Sequence, residues 1–396
     1  MLRRSILLVA ISFLCLAAPA SLITQYVAPS GTFSVMSISL SGRNWTSTPS
    51  ADLSSYEDDD NMVYIGVRLS ELDYGVVNIQ EGFSFMRVRI DEGVYVDMIN
   101  LQANSGIGLV NQVEKCWNIQ QIVDFINANS IGNAVIVFGN TNSLYTSPED
   151  NIRLLTTQNG LTDAWVQAIG GNAPAVGADE MVCPSGIPSS ISCEGVDKVF
   201  YRGSPIINLN SSGFFYDTSR FLSSKGIPLA DRNPIRVEFE YTLKSGLRQS
   251  DLCGGPHGTW FNDLDSIPSS PRLSSITLRG GNRLDGLTLT LTSGQAFAHG
   301  GWGGDSYSLT LAQGEYITAV KLCWGKRHGH TRNFYAEATT NIGRGVQAGK
   351  MTDNCANVAA PSGYGVIGTY GRAGDEMDQL GFIYNEQPPQ ITRAVG

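Results

Sequence analysis

The sequence predicts two domains of different class, an α+β domain followed by an all-β one, and three observations predict it. The chain has 396 residues, more than one hydrophobic core usually organises, since cores stop growing at roughly 250–300 residues. Between about residues 31 and 245, short apolar runs alternate with a helical period. After about 250 the helical period fades, and short Thr-, Ser-, Leu- and Tyr-rich stretches separated by glycine pairs replace it.

In the first half, Val94-Tyr95-Val96-Asp97-Met98-Ile99-Asn100 and Ala134-Val135-Ile136-Val137-Phe138 are apolar runs bounded by polar turns, the pattern of buried strands. Gln120 to Ile126, between them, has helical spacing. Strand, helix and strand in succession argue for a layered α/β or α+β domain. In the second half, Leu287-Thr288-Leu289-Thr290-Leu291-Thr292 and Tyr307-Ser308-Leu309-Thr310-Leu311 alternate as strands with one face on a core. The boundary falls near Ser245 to Ser250, giving domains at 31–245 and 250–385 after a leader at 1–20.

The leader is read from Arg3 and Arg4, the apolar run Ile6 to Ala17, and the small residues of Ala18-Pro19-Ala20. This is a secretory signal, too short and wrongly flanked for a membrane span, and no other segment approaches one. Secretion makes the cysteines disulfide candidates: Cys15 leaves with the leader and Cys116, Cys183, Cys193, Cys253, Cys323 and Cys355 remain. Cys183 with Cys193 and Cys323 with Cys355 are the expected pairs, while Cys116 and Cys253 either bridge the domains or stay reduced. Asn44 and Asn210 open N-glycosylation tripeptides. The net charge of −9 comes with no basic stripe, which excludes the electrostatic footprint of a nucleic-acid binder. The acidic run Glu57 to Asp60 reads as a solvated loop.

One motif carries chemistry and occurs twice. Gly374-Asp375-Glu376-Met377-Asp378 and Gly281-Asn282-Arg283-Leu284-Asp285 place a glycine four residues before an aspartate. Glycine reaches φ > 0 at little cost, so such a loop can turn backbone N–H groups and one carboxylate toward the same small volume. An ionised carboxylate takes neighbouring hydroxyls by charge-assisted hydrogen bonds, and amides add donors. The alternative is a glycine turn capped by an Asp, common in β-rich folds.

Gly254-Gly255-Pro256-His257-Gly258-Thr259-Trp260-Phe261-Asn262-Asp263, His299-Gly300-Gly301-Trp302-Gly303-Gly304, Gln313-Gly314-Glu315-Tyr316-Ile317 and Gly371 to Tyr384 together resemble the jacalin-related lectins over residues 250 to 385. The resemblance implies an all-β prism of three four-stranded units. It implies that Asp378 accepts bonds from two sugar hydroxyls, that the amides of Asp375, Glu376 and Met377 donate, and that Gly254 or Gly255 lets the backbone approach. The second copy, Gly281 to Asp285, would pair likewise with Gly300 and Gly301. The unbroken chain before Gly254 favours mannose or glucose over galactose.

Asn78-Ile79-Gln80-Glu81-Gly82-Phe83, Gly139-Asn140-Thr141-Asn142, Leu161 to Trp165, Cys193 to Arg202 and Leu229 to Ile235 resemble, in order, the endonuclease/exonuclease/phosphatase superfamily, in the secreted form that fungi and related microbes join to a jacalin domain. The resemblance implies a four-layer α+β sandwich, shortened here because only 12 residues separate Glu81 from Val94. It also implies a divalent ion on Glu81, with Asn142, Asp197 and Asp231 among the matching positions. Other positions depart from the pattern: Asn140 replaces an aspartate, Arg232 and Gln102 replace histidines, Asn104 replaces an acid and Ser39 an asparagine. Asn and Gln carry no charge and exchange no proton as Asp and His do, and Arg does not deprotonate.

The expectation is a secreted lectin for mannose-like glycans or glycoproteins with a catalytically dead phosphodiesterase-like domain. No cofactor is required, and homo-oligomerisation is left open. The alternative is an active Mg²⁺-dependent phosphodiesterase or phosphatase that its lectin domain delivers to glycosylated surfaces. A third reading keeps the first domain as a binder of phosphorylated ligands through Arg232.

Overall fold

The structure is a computed structural model that describes residues 30–38, 69, 76–79, 83–106, 108–230, 232–244 and 246–387. The leader, Ser39, Asn44, the run Glu57 to Asp60, Glu81, Asp231 and Ser245 lie outside the described residues.

The first half contains β1 (Ser30–Ile38), β2 (Val76–Ile79), β3 (Ser84–Asp91), β4 (Val94–Gln102), α1 (Leu109–Asn129), β5 (Ala134–Asn140), α2 (Leu154–Thr157), β6 (Thr162–Asp163), α3 (Ala164–Ala168), β7 (Asp197–Arg202), β8 (Ile207–Tyr216) and β9 (Ile235–Leu243). These strands make a four-stranded sheet, β2-β1-β9-β8, and a five-stranded sheet, β3-β4-β5-β7-β6. The runs read as strands at Val94 and Ala134 are β4 and β5, and the helical spacing at Gln120 to Ile126 lies within α1. β4 and β5 are parallel neighbours joined through α1, the connection a parallel pair requires. Every residue of β5 is buried, which explains its unbroken apolar run. α1 buries Ile119, Ile122, Val123 and Ile126, spaced i, i+3, i+4 and i+7 on one face.

The second half contains β10 (Leu247–Gln249), β11 (Cys253–Gly254), β12 (Thr259–Asn262), β13 (Leu273–Gly280), β14 (Leu284–Leu291), β15 (Ala296–Gly300), β16 (Asp305–Thr310), β17 (Ile317–Arg327), β18 (His330–Thr340), β19 (Gly345–Gly349), β20 (Asn354–Ala359), β21 (Tyr364–Ala373) and β22 (Met377–Glu386). They form three sheets: β10-β22-β21-β12 with β11 also on β22, then β15-β14-β13-β16, then β19-β18-β17-β20. Leu287, Leu289 and Leu291 point into a shared core with Ile276, Leu322, Ala336 and Phe382, while the threonines between the leucines are only half-buried. That is the alternation expected of β-strands with one buried face.

The three sheets repeat one plan, visible in the register. Gln379 pairs with Gly254, Gly286 with Gly300, and Tyr335 with Gly349. All three glycines have positive φ, at +115°, +86° and +85°. A Cβ on any of them would meet a carbonyl oxygen at 2.2, 2.4 and 2.0 Å, those of Asp378, Asp285 and Phe334. The next residue donates its amide to the same oxygen: Gly255 at 2.8 Å, Gly301 at 2.8 Å and Lys350 at 3.0 Å. The unit is a three-fold prism in which Asp378, Asp285 and Phe334 are equivalent positions.

Cys183–Cys193 and Cys323–Cys355 are disulfides, the latter between directly opposed residues of β17 and β20. Cys116 and Cys253 are thiols. The halves meet through apolar packing and specific polar contacts. Arg87, held by Asp97 at 2.7 and 3.0 Å, lies over the rings of Trp260 and Tyr370, and Asn262 donates to Asn133 Oδ1 at 3.0 Å.

Candidate functional site

The two GxxxD loops stand side by side at one end of the prism. Gly374, Asp375 and Glu376 make the turn between β21 and β22, closed by the Gly374 amide on the Glu376 carbonyl at 3.0 Å. Gly281, Asn282 and Arg283 make the equivalent turn between β13 and β14. Arg283 reaches across to Glu376 Oε1, with Nε at 2.8 Å, and a Cβ on Gly301 would meet the Asp375 carbonyl oxygen at 2.2 Å. Met377 opens β22, pairs in register with Ala373 and buries its side chain completely, so the loop itself ends at Glu376 and Met377 offers it backbone alone. Leu284 does the same at the head of β14.

Which glycine faces the carboxylate differs from expectation. Gly254, Gly255, Gly300 and Gly301 lie behind the aspartates, against their backbone carbonyls. The glycine at the carboxylate is the fifth of each run. A Cβ on Gly258 (φ +74°) would lie 2.5 Å from Asp378 Oδ2, and one on Gly304 (φ +64°) 2.7 Å from Asp285 Oδ2. Gly303 would approach Asp285 Cγ to 3.0 Å. Both runs read Gly-Gly-x-x-Gly, a spacing that was present in the sequence and would have identified Gly258 and Gly304. In the third sheet Phe334 replaces the aspartate and Asp353 the fifth glycine, so that position holds no such pocket.

The two aspartates share a frame and differ in availability. Asp378 is 1% exposed, and Arg332 Nη1 donates to its Oδ1 at 2.5 Å. Arg332 comes from the hairpin of the third sheet, where eight residues from Gly325 to Arg332 stand in the place of the three from Gly281 to Arg283. The same hairpin sends Arg327 toward Glu376 (3.6 Å) and stacks His330 edge-on against His257 (4.1 Å between centroids). Burial pushes the Asp378 carboxyl above its usual range, opposed by Arg332 and His257. Asp285 is half-buried and receives the Gly281 amide. Its carboxyl is also raised, first by burial and then by nearby Glu376, with Arg283, the Gly281 amide and Arg279 opposing. Arg279 ties down the far wall, donating to the carbonyls of Trp302 at 2.9 Å and Gly304 at 3.2 Å.

In the first half, Gln102 pairs in register with Asn140, which pairs on its other side with Asp197. Asn142 (φ +48°) accepts from Arg232 Nη1 at 2.6 Å and donates to the Ala103 carbonyl at 2.7 Å. Asn140 Oδ1 accepts the Asn142 amide at 2.9 Å. The fold therefore assembles the positions that the sequence singled out. Both amide oxygens are occupied, one by a guanidinium, and this described donor set does not fit a divalent cation, which takes several anionic oxygens. Among the described residues no three His, Cys, Asp or Glu side chains converge as a metal site. Glu81 and Asp231 lie outside the described residues.

The second half is thus a three-sheet β-prism with a glycine-and-carboxylate turn at the end of two of its sheets. Residues 250–383 match the Jacalin-like lectin domain family, and the C-terminal domain is a jacalin-like lectin domain. The N-terminal part is similar to sphingomyelinases of Mycobacterium bovis and Mycobacterium tuberculosis, 35% identical over 161 residues, 41% of this chain and 31% of theirs. The chain thus spans less than a third of the length of these relatives. It is also 26% identical to secreted RxLR effector protein 19 of Plasmopara viticola over 148 residues, 36% of this chain and 82% of that protein. Similar solved structures include the wild-type Malaysian banana lectin (22% identity, 36% of this chain and 100% of that one, TM-score 0.31). AcmJRL, a mannose-binding jacalin-related lectin from Ananas comosus, is another (26% identity, 36% and 99%, TM-score 0.32). No helix among the described residues is long and apolar enough to cross a membrane.

Proposed function

We propose that this protein is a secreted lectin for mannose-type hexoses, and that Asp285 holds the sugar in the resting protein. The observation that carries the reading is the half-open Asp285 carboxylate, set between the Gly281 turn and the Gly303–Gly304 wall. Two adjacent sugar hydroxyls can bond to its two oxygens, and glycines on both sides leave room for the ring. Asp378 has the same frame with Arg332 in the ligand's place, so it is a reserve site that opens when the third-sheet hairpin moves. Two disulfides and likeness to a secreted effector support an extracellular location.

The first domain is, in this reading, a shortened four-layer sandwich that has kept the phosphodiesterase frame and lost its chemistry. Gln102, Asn140 and Arg232 supply neither a proton carrier nor anionic metal ligands. The sphingomyelinase likeness favours the second reading, an active Mg²⁺-dependent phosphodiesterase carried to glycosylated surfaces. One preparation tests both. The full chain should be retained on immobilised mannose and eluted by free mannose, and the Asp285→Ala/Asp378→Ala double variant should pass through; retention of that variant would sink the site assignment. The same preparation should show no Mg²⁺-dependent turnover of a sphingomyelin-type phosphodiester, and turnover abolished by EDTA would replace the scaffold reading with the hydrolase one.

A further inference from the structure

The Asp285 loop opens onto a second feature that the GxxxD pattern does not predict. β16 and β19 are each the terminal strand of their sheets, and they flank a groove of about 930 Å³ along the seam between the second and third sheets. Its head is Gly280–Gly281, the start of the Asp285 turn. Gly349 lies beside Gly280 at this head, and the groove runs from there past Asp305, Tyr307, Glu337 and Gln347 toward Gly345. The volume is at the upper end of small-molecule sites, roughly 300–1,000 Å³, and far more than one hexose needs.

We propose that this groove extends the Asp285 site and takes the following units of a linear, neutral oligosaccharide. The proposal rests on the reading of Asp285 as the sugar carboxylate. Three properties of the groove fit that ligand. Tyr307 is 43% exposed and offers a flat apolar face with a hydroxyl at its edge, matching a pyranose ring that is apolar on its faces and polar around its rim. The outer edges of terminal strands present N–H and C=O groups in alternation, and sugar hydroxyls both donate and accept. The far wall is tied together, since the Tyr335 hydroxyl donates to Gln347 Oε1 at 2.6 Å and lies 3.1 Å from Glu337 Oε2. The lining carries two carboxylates, Asp305 and Glu337, and no basic side chain, so a sulfated or uronic glycan is repelled.

Calorimetry of the full chain with mannose, mannobiose and mannotetraose tests this. Affinity should rise about tenfold from the monosaccharide to the tetrasaccharide, the scale of one aromatic stacking contact. Tyr307→Ala should remove that gain and leave the mannose Kd as it was, and Gln347→Ala should reduce the gain. Equal affinity for mannose and mannotetraose in the wild type would overturn the groove and leave the Asp285 site standing. Mannose binding that survives Asp285→Ala, or a wild type that does not bind mannose, would overturn the underlying reading and the groove with it. A dimer in sedimentation that Tyr307→Ala dissociates would assign the seam to a second copy of this chain and overturn the proposal.

Discussion

Asp285 and Asp378 are held by the same backbone and end in different chemical states. Each follows a glycine turn, has its carbonyl taken by the amide of a Gly-Gly pair, and has a fifth glycine against its carboxylate. Around Asp378, the long hairpin of the third sheet has folded over the pocket and inserted Arg332. Around Asp285, the neighbouring wall is Gly303 and Gly304, and the carboxylate stays reachable. A repeated motif therefore specifies a frame, and what leans over the frame decides whether it is a site. The third sheet extends the lesson, because it has Phe334 where the others have an aspartate and carries the hairpin that closes its neighbour.

The largest expected effect is an asymmetry between the two single variants. A hydrogen bond to a charged group contributes about 1.5–3 kcal/mol, so removing a carboxylate that accepts two hydroxyls should cost about 3 kcal/mol, over a hundredfold in mannose affinity. Asp285→Ala should show that loss. Asp378→Ala should keep mannose affinity within about threefold, since Arg332 rather than sugar occupies it. It should instead change thermal stability little, because burial outweighs Arg332 in holding the Asp378 carboxyl above its usual range and Arg332 keeps Glu376 Oε2 at 3.4 Å. The reverse pattern in calorimetry would break the comparison.

A smaller effect follows from removing the lid. Arg332→Ala frees Asp378 Oδ1 while leaving the turn and Gly258 in place, so the number of mannose molecules bound per chain should rise from one to two. The new site should bind no more tightly than the first, and a multivalent mannose surface should retain the variant longer through simultaneous engagement. Unchanged stoichiometry would mean that the histidines His257 and His330 or the rest of the hairpin also close the pocket.

Much of this was legible in the chain. The change of pattern near residue 250, the strands at Val94, Ala134 and Leu287, and the short Cys183–Cys193 loop follow from local periodicity and spacing, which neighbouring residues determine, whereas Cys323 is matched to Cys355 only because both lie in the second half. The two GxxxD turns were equally visible, and so were the Gly-Gly-x-x-Gly runs, although the first pair rather than the fifth glycine was read as the sugar contact. Arg332 was not legible, because it reaches Asp378 from 46 residues away through a different sheet. The pairing of Arg283 with Glu376 has the same cause, since contacts between separate turns depend on how the sheets close and not on spacing along the chain. The motif spans Met377 without showing that its apolar side chain turns into the core and leaves only its backbone at the loop.

The smallest effect is in the pH dependence, and it separates the two pockets once the lid is gone. A carboxylate accepts hydroxyls from sugar only while ionised, so binding is complete above its pKa in the folded protein and is lost as pH falls through it. Burial raises the Asp285 carboxyl, so mannose affinity should begin to fall at a pH above the ordinary aspartate value of about 3.9. Asp378 is raised too, but Arg332 opposes the shift. Arg332→Ala removes that opposition and also uncovers the carboxyl, so the two pockets keep different charge environments and on acidification the two mannoses should be lost at different pH values. Protein unfolding, which removes both together, does not produce this separation. A carboxyl whose folded pKa is raised binds its proton more tightly in the folded state, so it gains stability as pH falls, and Asp285→Asn should melt no earlier than the wild type at neutral pH. Calorimetric titration of the Arg332→Ala variant from neutral to pH 4 measures the separation directly, and simultaneous loss of both mannoses would show that the two carboxylates differ in access alone and not in charge environment.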